Sequence, residues 1–233
     1  MAVSSKRNNA DEPNLFTSES VTMGHPDKVA DQVSDAILDA LLAQDKNSRV
    51  ACETMCKNSL IVVAGEVTTK AVINIPEIVK KTIAEIGYTS ADIGLEANTC
   101  TVVACLERQS PDISQGVTAT KEKEQGAGDQ GLMFGFACNE TPVLMPLPIY
   151  LSHRICEQLS KVRQNGTLPF VRPDGKAQVT VEYKDRKPVR IDTVVCSTQY
   201  SDDPKYVKAG LVDKTGAMTE KGRKALIEKV IKP

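Results

Sequence analysis

The order of predicted secondary-structure elements along this chain repeats once. Hydrophobic spacing and turn residues in 16–107 predict strand, helix (26 to about 44), hairpin (49–56 and 60–68), helix and strand. Residues 132–231 predict strand (132–138), helix, hairpin and helix in the same order, without a final strand. The repeat is one of order and not of residue identity. It predicts the α+β class, with two similar β-α-β-β-α units that have mixed sheets and helices packed on one face.

The repeat and a polar segment between its halves divide the 233 residues into domains. We predict a disordered tail at 1–15 and an N-terminal α+β domain at 16–112. A polar, Gly-containing run predicts a mobile loop at 113–128, since long loops in compact proteins often act as lids. The central α+β domain is predicted at 129–233, truncated at its end because one strand of the repeat is missing.

Composition argues against nucleic-acid and membrane partners. Lys and Arg number 29 against 30 Asp and Glu, and the chain has four Phe, five Tyr and no Trp. A chain without excess positive charge and with few aromatic rings is a poor candidate for stacking bases. The polar start lacks the apolar core of a signal peptide, so the cytoplasm is the expected compartment. The seven scattered cysteines favour reduced core thiols over a zinc site.

Residues 24–28 (GHPDK) lie where a helix is predicted to begin. A helix N-terminus attracts anions because its first amide groups lack partners within the helix. Histidine and lysine can donate to phosphate oxygens, and aspartate can hold a hard cation. The pattern therefore fits a site for phosphate and Mg²⁺, and it also fits an ordinary capped helix with an exposed histidine.

Residues 126–131 (GAGDQG) have the spacing of a dinucleotide-binding fingerprint. That fingerprint requires a strand before it and a helix after it, but here a charged loop precedes it and a strand-like run follows. The context disfavours a nucleotide-binding oxidoreductase. Two interpretations remain: a Gly-rich turn that brings its backbone and Asp129 close to a ligand, and a simple flexible turn.

Two carboxylates, Glu53 and Glu66, fall within strands that are otherwise apolar. A buried carboxylate is costly unless it is paired or bound to a cation. The alternative is that both residues point to the wet face of a half-exposed sheet. The turn at 172–176 (RPDGK) is, on its own pattern, a loop at the edge of a hairpin.

Several collinear strings resemble the methionine adenosyltransferases (S-adenosylmethionine synthetases). The strings are ESVTMGHPDK at 19–28, ACET at 51–54, GEVT at 65–68, QSPDI at 109–113, GAGDQGLMFG at 126–135, NGTLP at 165–169 and RPDGK at 172–176. Each alone is weak, but together they are specific and extend from about residue 16 to the end. The resemblance implies an S-adenosylmethionine synthetase-like fold whose third domain is missing.

The resemblance also implies a reaction and its partners. The methionine sulfur would attack C5′ of ATP, displacing triphosphate that is then hydrolysed. Catalysis would rest on positioning and electrostatics, with Mg²⁺ and K⁺ as cofactors. Members of this family are homodimers or homotetramers with active sites between subunits.

Roles follow from the resemblance for the matching residues. ATP would be bound by His25, Lys28, Asp174 and Lys176, and methionine by Glu66, Gln109 and Asp129. Asp27 and Glu19 would hold Mg²⁺, and Glu53 would hold K⁺. The catalytic residues would be His25, near the departing oxygen, and Asp129.

The sequence also departs from the family pattern. Met23 stands where an acidic residue usually precedes Gly-His-Pro, and nothing matches the family's second Gly-rich signature or its C-terminal domain. These departures favour an incomplete enzyme with little activity of its own. The alternative is a non-catalytic regulatory or interaction relative that kept the scaffold.

We therefore expect the 233-residue chain alone to form little or no S-adenosylmethionine from ATP and methionine. The physical reason is that the residues that hold the triphosphate in the family have no match here. A turnover assay with labelled methionine measures this directly. Product formation near the rate of a full-length family member would refute the expectation.

Overall fold

The computed structural model describes residues 14–108, 124 and 131–232. The first half contains β1 (Asn14–Val21), α1 (Pro26–Gln44), β2 (Arg49–Lys57), β3 (Leu60–Thr68), α2 (Ile75–Ile86), a 3₁₀ turn (Ala91–Ile93) and β4 (Thr101–Glu107). The second half contains α3 (Leu147–Gln164), β5 (Val171–Lys184), β6 (Lys187–Tyr200), α4 (Pro204–Lys208), α5 (Glu220–Leu226) and a π-helical turn (Ile227–Ile231). None of the helices in the described residues is long and apolar enough to cross a membrane.

Helix α1 forms for reasons that can be read locally. Its buried residues recur every four positions, which places them on one face of the helix; they are Val29, Val33, Ile37 and Leu41. Pro26 lies in the first turn, where its missing N–H costs nothing. Helix α2 is bounded similarly by an Asn74 cap and by Gly87 in the left-handed conformation.

The six strands of the described residues form two three-stranded sheets. In the first sheet, of order β2-β3-β4, β2 and β3 are an antiparallel hairpin, and β4 returns through α2 to lie parallel to β3. The second sheet, of order β1-β5-β6, is antiparallel throughout. The α+β class is confirmed, but only the first sheet is mixed. A parallel pair needs a crossover connection, and no described strand follows α5 to provide one in the second sheet.

Strand β1 belongs to the sheet of the other half. It pairs along its whole length with β5, from Asn14 opposite Tyr183 to Val21 opposite Lys176. The prediction of a strand at 132–138, as the first strand of the second unit, was wrong, because these residues form no strand. The edge of β5 that such a strand would have used is already occupied by β1.

Each sheet packs its helices on one face. The first core lies between α1, α2 and the inner face of β3, where Ile61 and Val63 are fully buried. The second core lies between α3 and β5, around Phe170. The opposite face of the first sheet is open, so Met55, Leu60 and Val103 are exposed.

The seven cysteines are all free. Burial raises the pKa of five of these thiols, which are those of Cys52, Cys56, Cys100, Cys156 and Cys196. A raised pKa lowers the fraction of reactive thiolate at neutral pH. These residues therefore behave as small apolar side chains.

The two halves meet at the turn between β1 and α1. The Thr22 hydroxyl donates to the Pro173 carbonyl at 2.7 Å, and the Thr22 N–H donates to the Gly175 carbonyl at 2.9 Å. The Tyr88 hydroxyl, from the end of α2, donates to the Gly24 carbonyl. Gly24 packs so closely on Pro173 that a Cβ atom there would lie 2.4 Å from the Pro173 carbonyl carbon.

We predict that Gly24→Ala lowers the free energy of unfolding by roughly 2–3 kcal/mol, because a methyl group must displace the Pro173 backbone. Urea unfolding followed by circular dichroism measures the change. Gly135→Ala is the matched control, since a Cβ at Gly135 meets nothing within 4 Å. Equal stability of the two variants would contradict the tight junction.

Candidate active site

His25 is the N-cap residue of α1. The Asp27 N–H donates to Nδ1 of His25 at 3.2 Å. An imidazole nitrogen that accepts a hydrogen bond carries no proton, so this bond selects the tautomer with the proton on Nε2. The cap therefore fixes the ring at the helix start and leaves Nε2–H available to donate to a ligand.

A carboxylate and an ammonium group lie beside His25 because of the β1–β5 register. Lys176 is opposite Val21, two residues along β1 from Glu19, and its Nζ lies 3.6 Å from Glu19 Oε1. Asp174 lies two residues earlier on β5, next to the Pro173 contact with Gly24. The structure thus brings together four of the predicted site residues, His25, Glu19, Asp174 and Lys176, from both halves of the chain.

Asp174 is only partly accessible to solvent. Burial raises the pKa of the Asp174 carboxyl, and His25, the Gly175 N–H and Lys176 act in the opposite direction. A carboxylate desolvated in this way gains from hydrogen-bond donors or positive charge brought by a ligand. Its environment is typical of a binding residue.

Asp27 and Lys28 also lie at the helix start, but they face solvent. Asp27 Oδ2 is 3.7 Å from His25 Nδ1, and its side chain is highly exposed. Lys28 Nζ pairs with Asp31 Oδ2 at 2.8 Å, and this hydrogen bond raises the pKa of Lys28. To bind a phosphate, Lys28 would therefore have to give up its hydrogen bond to Asp31.

A small cavity of about 200 Å³ adjoins this cluster. Its lining includes Gly24, Tyr88, Asp174 and Gln199. Gln199 Nε2 donates to the Ile93 carbonyl at 2.9 Å, but its buried Oε1 finds no donor among the described residues. Sequence reasoning missed Tyr88 and Gln199, and only the strand register and the junction of the two halves bring them here.

Glu53 and Glu66 lie elsewhere in the same chain. They are on the open face of the first sheet, where Glu53 is opposite Ala64 and Glu66 is opposite Ala51. Helix α1, which carries His25, packs on the other face. Within one chain, Glu66 and Glu53, predicted for methionine and K⁺, therefore do not meet the His25 cluster. Gln109, Asp129 and the loop predicted at 113–128, except Glu124, lie outside the described residues.

The predicted metal ligands fit Mg²⁺ in type. No group of three or more His, Cys, Asp or Glu side chains that could hold a metal occurs among residues 14–108, 124 and 131–232. Mg²⁺, however, commonly uses one or two carboxylates together with water and substrate phosphates. The exposed carboxylate of Asp27 and that of Glu19 are such donors, although Glu19 shares its charge with Lys176.

This geometry defines a class: a two-unit α+β protein with a mixed-charge cluster at a helix start, suited to a phosphorylated ligand. Family models identify it further. The model described as "S-adenosylmethionine synthetase, N-terminal domain" matches residues 13–111, and the model for the central domain matches residues 124–233. The chain belongs to the S-adenosylmethionine synthetase family.

Bacterial relatives agree with this assignment. The S-adenosylmethionine synthase of Desulfosudis oleivorans is 61% identical over 194 residues, which cover 82% of this chain and 50% of that protein. The protein of the same name from Syntrophobacter fumaroxidans is 54% identical over 220 residues, or 94% of this chain and 53% of the relative. The chain thus spans about half the length of the curated relatives it matches.

We predict that Asp174→Asn raises the free energy of unfolding at neutral pH. Burial raises the folded-state pKa of Asp174 above its unfolded value, so the folded state favours the protonated form. The stability from this group is complete below the unfolded pKa and is lost as pH rises through the folded pKa. The amide of the Asp174→Asn variant is neutral at every pH. The excess of its free energy of unfolding over that of the unmodified chain should therefore shrink as pH falls toward the ordinary aspartate pKa of about 4.

Urea unfolding at several pH values measures this difference. Asp39→Asn, an exposed position on α1, is the control. A less stable Asp174→Asn protein at neutral pH would show that the charge of Asp174 stabilises the fold.

Proposed function

We propose that this chain contributes to S-adenosylmethionine synthesis from ATP and L-methionine. The methionine sulfur attacks C5′ of ATP. The new S–C bond forms as the C5′–O bond breaks, and the triphosphate leaves with the bonding electron pair. Hydrolysis of the triphosphate to pyrophosphate and phosphate then makes the reaction hard to reverse.

The observation that carries this proposal is the capping of α1 by His25. Because Nδ1 accepts the Asp27 N–H, Nε2–H is free to donate to the oxygen that departs from C5′. Charge on that oxygen grows as the bond breaks, so a fixed donor stabilises the transition state more than the bound substrate. The partial positive charge at the start of α1 acts in the same direction.

Binding of the nucleotide is assigned to groups around His25. Lys176 and Lys28 would donate to phosphate oxygens, each leaving its present carboxylate partner. Asp174, desolvated at the junction, would accept a hydrogen bond from the nucleotide. Mg²⁺, when bound at Asp27 and Glu19, would neutralise phosphate charge, and Glu53 would hold K⁺.

We further propose that the complete site forms between subunits of a homodimer or homotetramer. The support is the separation within one chain: the His25 cluster is at the helix start, whereas Glu66 lies on the open face of the first sheet. Apolar side chains surround Glu66's strand on that face, including Met55 and Val103. Another subunit seated on that face would bring its own His25 cluster to Glu66, which we assign to methionine together with Gln109 and Asp129.

The alternative is a non-catalytic relative that retains only the scaffold. A non-catalytic relative would not have to bind a nucleotide at the junction of the two halves. Packing of the two hydrophobic clusters does not account for Asp174 and Lys176, since neither belongs to them, whereas His25 also caps α1. A measurement of ATP binding therefore distinguishes a contribution to S-adenosylmethionine synthesis from a non-catalytic role.

We predict that Lys176→Ala weakens binding of ATP, measured with Mg²⁺ by isothermal titration calorimetry at fixed salt, by about tenfold. Loss of one charge-assisted hydrogen bond of roughly 1.5 kcal/mol accounts for this change. Lys46→Ala, in the loop after α1, removes the same charge from an exposed position and should leave the affinity unchanged. Absence of ATP binding to the unmodified chain, or equal affinity of both variants, would contradict the proposal.

A further inference from the structure

The peptide group between Gly24 and His25 is hydrogen-bonded at both of its ends. The His25 N–H donates to the Thr22 carbonyl at 3.1 Å, and the Gly24 carbonyl accepts a hydrogen bond from the Tyr88 hydroxyl. Thr22 is itself tied to β5 by the hydrogen bonds described above. Because the peptide group is planar, it cannot rotate without losing one of the two bonds. The backbone therefore enters His25 in a fixed direction.

The cap of α1 depends on that direction. His25 has φ of −64° and ψ of 140°, and in this conformation its Nδ1 accepts the Asp27 N–H at 3.2 Å. That distance is at the long end of the range for hydrogen bonds between a backbone N–H and an acceptor. A small rotation of the preceding peptide group therefore breaks the bond. The bond selects the Nε2–H tautomer of His25, so the tautomer depends on the same peptide group.

Tyr88 offers its hydroxyl from a rigid position at the end of α2. Its N–H donates to the Ile83 carbonyl at 3.2 Å, and its carbonyl accepts the Ala97 N–H at 3.0 Å. Its side chain is 5% exposed and belongs to the first hydrophobic cluster. Since both its backbone groups and its ring are held, the hydroxyl cannot follow a movement of Gly24.

The hydroxyl is the part of Tyr88 that packing does not explain. A phenylalanine ring would fill the same space in the core, and a buried hydroxyl is costly unless it makes a hydrogen bond. The Tyr88 hydroxyl makes this bond to the carbonyl of Gly24, which is also buried. Burial raises the pKa of Tyr88, so the phenol keeps its proton and stays a donor.

We propose that Tyr88 is a positioning residue for His25. Its hydroxyl holds the peptide group before His25, so that Nδ1 accepts the Asp27 N–H and Nε2–H is free to donate. Tyr88 acts through the backbone and touches neither ATP nor methionine. The role of His25 in the reaction rests on the proposed function, whereas the coupling of Tyr88 to His25 is measurable without a substrate.

Nuclear magnetic resonance of the Tyr88→Phe variant of the full chain, without nucleotide, tests the proposal. We expect exchange of the Asp27 amide hydrogen to accelerate roughly tenfold, because it loses the fixed acceptor. The imidazole nitrogen shifts of His25, measured at a pH where the ring is neutral, should move from the Nε2–H tautomer toward a mixture. His153 is the other histidine of the chain, and its ring should keep its shifts because it is bonded to Ser20.

Tyr206→Phe is the matched control. Tyr206 is 9% exposed, and its hydroxyl donates to the Pro169 carbonyl at 2.8 Å. This variant also loses one hydrogen bond from a buried tyrosine to a backbone carbonyl, but in the other half of the chain. It should leave both Asp27 exchange and the His25 shifts unchanged.

The amide of Ile37, in the middle of α1, separates positioning from a general loss of stability. Loss of positioning accelerates exchange at Asp27 and leaves Ile37 as it was. Equal acceleration at Asp27 and Ile37 would mean that the hydroxyl only stabilises the fold, and would overturn the proposal. Unchanged Asp27 exchange and His25 shifts in Tyr88→Phe would overturn it as well.

A fluorinated tyrosine at position 88 gives a second test if the phenylalanine variant does not fold. Fluorine on the ring makes the hydroxyl a stronger donor, so exchange of the Asp27 amide should become slower than in the unmodified chain. Unchanged exchange there would contradict the coupling. Failure of the chain to bind ATP would count against the proposed function and not against this coupling, since neither measurement uses ATP.

Discussion

The rest of this structure depends on the antiparallel ladder between β1 and β5. It joins the first strand of one half to the sheet of the other, over eight residue pairs from Asn14–Tyr183 to Val21–Lys176. The ladder continues into the turn, where the Thr22 N–H donates to the Gly175 carbonyl. Because the strand register cannot slip by one residue without turning every side chain to the opposite face, it fixes where α1 begins relative to β5.

The candidate site is a consequence of that register. Glu19 and His25 come from the first half, and Asp174 and Lys176 from the second, so neither half alone assembles the charges. Their exposure differs across the junction: Asp174, next to the Pro173 contact with Gly24, is partly buried, while Asp27 remains in solvent. A desolvated carboxylate beside a donor-rich helix start suits a ligand that brings its own charge and cations.

Local sequence signals predicted most helices and strands. They failed where the formation of a strand depends on a neighbouring strand that is far away in the sequence. The helix expected from Pro26 to about Gln44 and the hairpin of β2 and β3 are confirmed, since caps, turns and spacing act within a few residues. The short helix Pro204–Lys208 was missed. The predicted strand at 132–138 was wrong although its composition is strand-like, because β1 already occupies the edge of β5 that the repeat would have given it.

The sequence by itself determined the α+β class, the family and the chemical character of the helix start, because motif residues and hydrophobic period are properties of neighbouring positions. Only the tertiary structure decided that β1 serves the opposite half and that Tyr88 and Gln199 line the cavity beside Asp174. It also decided that Glu53 and Glu66 lie away from His25 in the same chain. These facts depend on strand order and on the face to which each side chain points, which are set by contacts between residues far apart in the sequence.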